Sequence, residues 1–194
     1  MASSAGRQWV QLWGPEFYLP SAAMPMLWLN GTNDFAYPLD SMQKSYTTNM
    51  GASHLCIRVE MPHSHADGWA PAEIAAFADH AFGIGSAVAI PEVVDSGCER
   101  DGTLYCTVVT DPRAPLASVD LCFTRATGYW QDRKYNRSPV EKVTWKRLPG
   151  QKPTYNIRAQ TPGHCVAFLT LTDTRGMLAS TPHVDLTAST DARL

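Results

Sequence analysis

The chain has 194 residues, of which 44% are hydrophobic and 18% charged, with a formal net charge of −2. That size and apolar content suit one domain with a sizeable core or two small ones, and exclude a disordered chain. With no basic block there is no footprint for nucleic acid or an anionic membrane as partner, and no apolar run approaches the ~20 residues of a membrane span.

The first residues, Met1-Ala-Ser-Ser-Ala-Gly-Arg7, lack the apolar core of a signal peptide, so the sequence as written is expected in the cytoplasm. Trp9, Val10, Leu12, Trp13, Phe17, Tyr18 and Leu19 then form an aromatic segment. Met26–Leu29 reads as a short apolar strand, Ser41–Tyr46 as a helix after Pro38, and His54–Glu60 as a second apolar strand. Pro71–Phe82 reads as a helix with Pro71 in its first turn, and Ile74, Phe77, Ala78 and Ala81 give it one apolar face. Strand–helix–strand–helix in this order predicts parallel strands.

The pattern changes near residue 86, after Gly83-Ile-Gly85, and becomes all-β. Leu104–Thr110, Val119–Arg125, Val140–Arg147, Thr154–Ala159 and Val166–Thr172 are rich in β-branched and aromatic residues. Turn pairs separate them: Asp101-Gly, Asp111-Pro, Thr127-Gly, Pro149-Gly and Pro162-Gly. This spacing predicts a β-sandwich over 87–194, after an α/β unit over 1–86. Five cysteines, Cys56, Cys98, Cys106, Cys122 and Cys165, contain no CxxC pair and are expected as buried hydrophobes. Cys98 and Cys106 flank a turn-like Glu-Arg-Asp-Gly and are placed to face each other across a hairpin.

The chemistry-bearing residues follow the two early strands. Trp28-Leu-Asn-Gly-Thr-Asn-Asp-Phe-Ala-Tyr-Pro38 carries Asp34 just past the first strand, and Met61-Pro-His-Ser-His-Ala-Asp-Gly-Trp69 carries His63 just past the second. Parallel strands bring both to one edge of the sheet. These stretches resemble the acid and base loops of bacterial α/β-hydrolases of the acetyl-xylan-esterase and prolyl-oligopeptidase-like group. The helix over Pro71–Phe82 resembles their last helix. Gly128-Tyr-Trp130 and Leu171-Thr-Asp-Thr-Arg-Gly176 look like the Ig-like sandwich that trails some members. The resemblance spans most of residues 9–186. It implies a truncated α/β-hydrolase sheet followed by a β-sandwich, Asp34 as triad acid, His63 as triad base, and an ester as substrate.

The sequence departs from that family where the nucleophile belongs. No G-x-S-x-G occurs; Ser4, in Ala2-Ser-Ser-Ala-Gly6, has Ala where the first Gly belongs, and Gly83-Ile-Gly-Ser86 fails the spacing. Three readings of the Asp34–His63 pair follow. In the first, Asp34 orients His63, which acts as general base on water or on a substitute nucleophile such as a cysteine, cleaving carboxyl esters first and phosphate esters second, with no cofactor. In the second, His63-Ser-His65-Ala-Asp67 is an H-x-H-x-D run that ligates zinc through His63, His65 and Asp67 and activates a water. In the third the chain is not catalytic, and Tyr129, Trp130, Tyr135 and Trp145 bind carbohydrate by stacking or serve as core and interface. A sheet of two or three parallel strands also leaves an edge open, which predicts a homo-oligomer that closes it. The aromatic segment before residue 20 is expected to cover part of the gap.

Overall fold

The computed structural model describes residues 3–187. Helix α1 (Ser4–Trp13) starts behind Ser3, whose hydroxyl accepts a hydrogen bond from the Gly6 amide, and buries none of its residues. Two short 3-10 turns, Pro15–Phe17 and Leu19–Ser21, lead into strand β1 (Met26–Asn33). Helix α2 (Leu39–Tyr46) follows Pro38 and buries Leu39, Met42 and Tyr46, spaced three and four residues apart on one face. Strand β2 (Ser53–Pro62) runs parallel to β1, in register from Met26 opposite Ser53 to Gly31 opposite Arg58. Helix α3 (His65–Trp69) is a single short turn, and α4 (Glu73–Ala81) begins two residues after Pro71.

The second half is built of strands, with one 3-10 turn at Trp130–Asp132. In chain order it forms β3 (Glu92–Cys98), β4 (Thr103–Val109), β5 (Leu116–Thr124), β6 (Asn136–Pro139), β7 (Val143–Lys146), β8 (Thr154–Gln160), β9 (Val166–Asp173), β10 (Leu178–Ser180) and β11 (Val184–Asp185). One antiparallel sheet has the order β3-β4-β8-β7; another has β10-β9-β5-β6, with β11 also on β9. The strand expected over Val140–Arg147 shortens to Val143–Lys146, and an unexpected strand precedes it. Asn136–Pro139 joins one sheet, Val143–Lys146 the other, and the polar Glu141-Lys142 lies at the crossing. The Cys98–Cys106 expectation is corrected by register: Cys98 lies opposite Leu104 and Cys106 opposite Ser96, and all five cysteines are free thiols.

The two antiparallel sheets share a core. Leu104, Cys106 and Val108 of β4 and Ile157 of β8 pack with Leu121 of β5 and Leu169 of β9. The other face of β5 and β9 presents Cys122 and Phe168 to a second core, built from α2 and from Leu55 and Ile57 of β2. The molecule is thus mixed α and β, with the β5–β9 sheet as a middle layer between a four-stranded sheet and the parallel pair.

Three polar links fix the layers. The Ser180 hydroxyl accepts from the Ile57 amide at 2.9 Å, tying the outer edge of β2 to β10. Glu73 of α4 is fully buried and receives Arg58 of β2 at 2.6 and 2.7 Å and the Leu178 amide at 2.8 Å. Two Asp-x-Arg forks hold the segment joining α4 to β3: Arg113, paired with Asp111, donates to the Ser86 and Ala87 carbonyls, and Arg175, paired with Asp173, donates to those of Val88 and Ala89. Among the described residues no helix is long and apolar enough to cross a membrane.

Candidate active site

Asp34 follows β1 directly and is 6% exposed. One carboxylate oxygen, Oδ1, accepts the Ala36 and Tyr37 amides, both at 2.8 Å, which folds the loop back on the side chain as an Asx-type turn. Oδ2 lies 2.9 Å from His63 Nδ1. The Asn33 amide group anchors the same loop to the β5–β6 connection by donating to the Gln131 and Arg133 carbonyls at 2.8 and 3.0 Å. Asn30, whose N-x-T triplet also matches a glycosylation acceptor, is buried and inward-facing: it accepts the Gly31 amide and donates to the Tyr37 carbonyl.

His63 reaches Asp34 because β2 is irregular at its end. From Gly31 opposite Arg58 to Asn33 opposite Pro62, β1 advances two residues while β2 advances four. The surplus turns the strand, as bulges do beside functional sites. Glu60 sits in this turn with φ 64°, a left-handed conformation that few non-glycine residues adopt, and its amide is held by the Thr32 hydroxyl at 2.8 Å. Gly31 permits the crossing, since a Cβ there would meet the Met61 carbonyl oxygen at 1.8 Å.

The imidazole stands between two rings of the acid loop, with Phe35 5.1 Å away edge-on and Tyr37 6.0 Å away. Its side chain is 39% exposed. Nδ1 is engaged by Asp34, which leaves Nε2 as the free nitrogen. His63 borders a groove of about 520 Å³ whose other walls include Leu19, Trp28, Met42 and Met61. The contact with Asp34 fixes the orientation of the imidazole beside a mostly apolar groove.

The remaining sequence candidates separate from this pair. Ser4 opens helix α1 and is exposed, so it does not sit on a strand-to-helix elbow. No serine hydroxyl among the described residues bonds His63. Ser64 in particular is committed to Asp67, accepting its amide at 2.9 Å and donating to Oδ2 at 2.5 Å as the cap of α3. No cysteine lines the groove, and burial pushes the thiols up, Cys56 and Cys106 to about 12. For zinc, His65 and Asp67 lie on α3, where Asp67 serves the cap. Among the described residues no group of three or more His, Cys, Asp or Glu is placed to hold a metal ion.

The aromatics of the third reading divide. Tyr135 is buried against Phe168, and Trp130 packs on the second core with the Arg133 guanidinium 3.9 Å above its ring. Tyr129 and Trp145 are exposed, but Tyr129 lies in the connection from β5 to β6 and Trp145 on β7 of the other sheet. Sequence reasoning assigned no role to Phe35, Tyr37, Gly31 or Glu60. The first two stood inside the acid-loop motif and signalled themselves by proximity to Asp34. The last two act through backbone geometry, which residue type signalled only at Gly31. Comparison of the chain with models of protein families, with curated proteins and with solved structures found no match.

Proposed function

We propose that the chain hydrolyses activated esters, carboxyl esters foremost, with Asp34 and His63 as the acid–base pair and water as the nucleophile. The observation that carries this reading is the 2.9 Å contact between His63 Nδ1 and a buried carboxylate whose other oxygen is held by two amides, with Nε2 unengaged beside an apolar groove. His63 Nε2 takes a proton from water as the water oxygen bonds to the ester carbonyl carbon. The tetrahedral intermediate then expels the alkoxide or phenoxide, which receives that proton, leaving an acid and an alcohol. Asp34 holds the ring through Nδ1 and stabilises the positive charge that develops on it. The groove walls accept an apolar acyl or alcohol group. Activated esters suit the site because a good leaving group asks little of a stabilised oxyanion, and oxyanion stabilisation usually contributes most to the rate of acyl transfer. The likeness to the acid and base loops of α/β-hydrolases, and of the second half to their trailing Ig-like sandwich, belongs to the same reading.

The test is turnover of p-nitrophenyl acetate, with a p-nitrophenyl phosphate diester as comparator. His63→Ala is expected to lower the rate on the order of 10²-fold or more, the scale of general-base catalysis. Asp34→Asn lowers it in the same direction by misorienting the ring. Unchanged turnover in a folded His63→Ala protein overturns the assignment.

A further inference from the structure

Among the described residues, no strand lies beside the outer edge of β1. The Met26 amide donates to the Ala52 carbonyl, on the β2 side. In a parallel pair alternate residues face the neighbour, so Met26, Trp28 and Asn30 serve β2 while Leu27 and Leu29 point their amides and carbonyls outward. Further along, the edge is closed from within, because the Asn30 side chain takes the Gly31 amide and the Gly31 carbonyl accepts from Asp34. The open stretch is therefore centred on Trp28. It holds no charge, lysine, proline or bulge, the devices by which edges are usually blunted.

Apolar surface lies on both sides of this edge. One groove, of about 540 Å³, runs between β1 and Trp69, Ile74 and Phe77; the 520 Å³ groove runs between β1 and Pro15, Leu19 and Met42. Helix α1, just before Pro15, presents Trp9, Leu12 and Trp13 on one face, each more than half exposed among the described residues. Trp9, Trp13, Phe17, Tyr18 and Trp69 are each more than half exposed. At roughly 200 Å² per aromatic side chain they offer on the order of 600 Å² of uncovered surface. A standard protein interface takes about 800 Å² from each partner.

We infer that two copies of this chain associate through a two-fold axis at Trp28, pairing β1 with its counterpart antiparallel to make one four-stranded sheet. The register follows from the outward groups. Leu27 of one copy faces Leu29 of the other in both directions, giving four main-chain hydrogen bonds, and the two Trp28 residues fall in the closer, non-hydrogen-bonded position between them. A two-fold contact of this kind closes on itself and uses up the edge, so assembly stops at two. Antiparallel pairing also brings the start of the second copy's β1 beside the end of the first, close to where Asp34 follows, and so roofs the groove next to His63. The pairing itself does not depend on the chain's being an esterase.

Sedimentation equilibrium at micromolar concentration should give twice the 21.3 kDa chain mass. Leu27→Pro deletes an outward amide and leaves the β2 side intact, a substitution edge strands tolerate; it is expected to give a folded protein of single-chain mass. Leu29→Lys, which sets a charge on the edge, should do the same, so the test survives if either variant fails to fold. In wild type the Leu27 and Leu29 amides should exchange with solvent more slowly as protein concentration rises. A wild type of single-chain mass overturns the inference, including one that takes up some other polypeptide on this edge. So does a wild type that is double and stays double in a folded variant, which would place the contact on α1 instead.

Discussion

Strands β1 and β9 are both eight residues long and both open on an apolar run, Met-Leu-Trp-Leu in one and Val-Ala-Phe-Leu in the other. Their surroundings differ completely. Strand β9 has β5 along one edge and β10 and β11 along the other, and a separate core on each face, so seven of its eight residues are buried. Strand β1 has β2 alone, and Met26 to Leu29 are only half-buried. The same kind of apolar run thus makes the stabilising centre of the molecule in one place and an unfinished edge in the other. What decides is the number of neighbours, because burial stabilises only where another surface removes the side chain from water.

The widest test of that contrast is truncation at matched protein concentration. Phe168→Ala on β9 removes a fully buried ring from the second core, and should cost about 3–5 kcal/mol in urea unfolding. Leu29→Ala on β1 should cost about 1 kcal/mol, since half of the side chain already meets solvent. Equal losses would break the comparison.

A second test sharpens it at the two arginine forks, which make the same contacts in different surroundings. Asp173 is fully buried with Arg175, whereas Arg113 is more than half exposed and its Asp111 partner is held down to about 2 chiefly by the arginine hydrogen bond. Arg175→Ala should cost about 2 kcal/mol, because it strands a buried carboxylate and uncovers the Val88 and Ala89 carbonyls. Arg113→Ala should cost only a fraction of that, because water screens an exposed pair and solvates whatever the substitution uncovers. The reverse order, measured by thermal unfolding, would mean that burial does not rank the two.

The smallest effect concerns the seam between the regions. His183 is buried beside Trp130, with its carbonyl toward Gln43 of α2. Burial pushes its pKa below 6.5, although the Asp40 and Asp185 carboxylates pull the other way. The unfolded chain therefore binds this proton more readily than the fold. The stabilisation is complete above pH 6.5 and is lost as the pH falls from there toward the lower folded value. His183→Phe should flatten the pH dependence of the melting temperature over that window, and an unchanged slope would assign it to other groups.

The elements that were legible from residue types are those whose own neighbours enforce them. Strand β4 alternates buried Leu104, Cys106 and Val108 with half-exposed residues and is readable as such. The α2 and α4 helices carry their periodicity locally. Strand β3 was not legible, since Glu-Val-Val-Asp-Ser-Gly-Cys has little apolar content and is held mainly by pairing with β4. Strand β10 is three residues long, too short to show a period. Strand β6 was not legible either, since Asn-Arg-Ser-Pro is short, polar and exposed and is held by pairing with β5. At the site, Asp34 and His63 were readable from their loops. The turn at Glu60 was not, because a left-handed glutamate carries no mark in its residue type.

The amino-acid sequence by itself determined the parallel β1–α2–β2 order, the succession of antiparallel strands after residue 86, and an Asp and a His past neighbouring strand ends. Those depend on period, turn residues and chain order, which are local. The tertiary structure alone decided that the middle sheet is buried on both faces, that the cysteines are shut away from the groove, and that His63 Nδ1 meets Asp34 at 2.9 Å. Among the described residues it also left the outward groups of Leu27 and Leu29 without a neighbouring strand. Each of these rests on contacts between residues far apart in the chain, where packing and hydrogen-bond satisfaction outweigh what any short segment prefers.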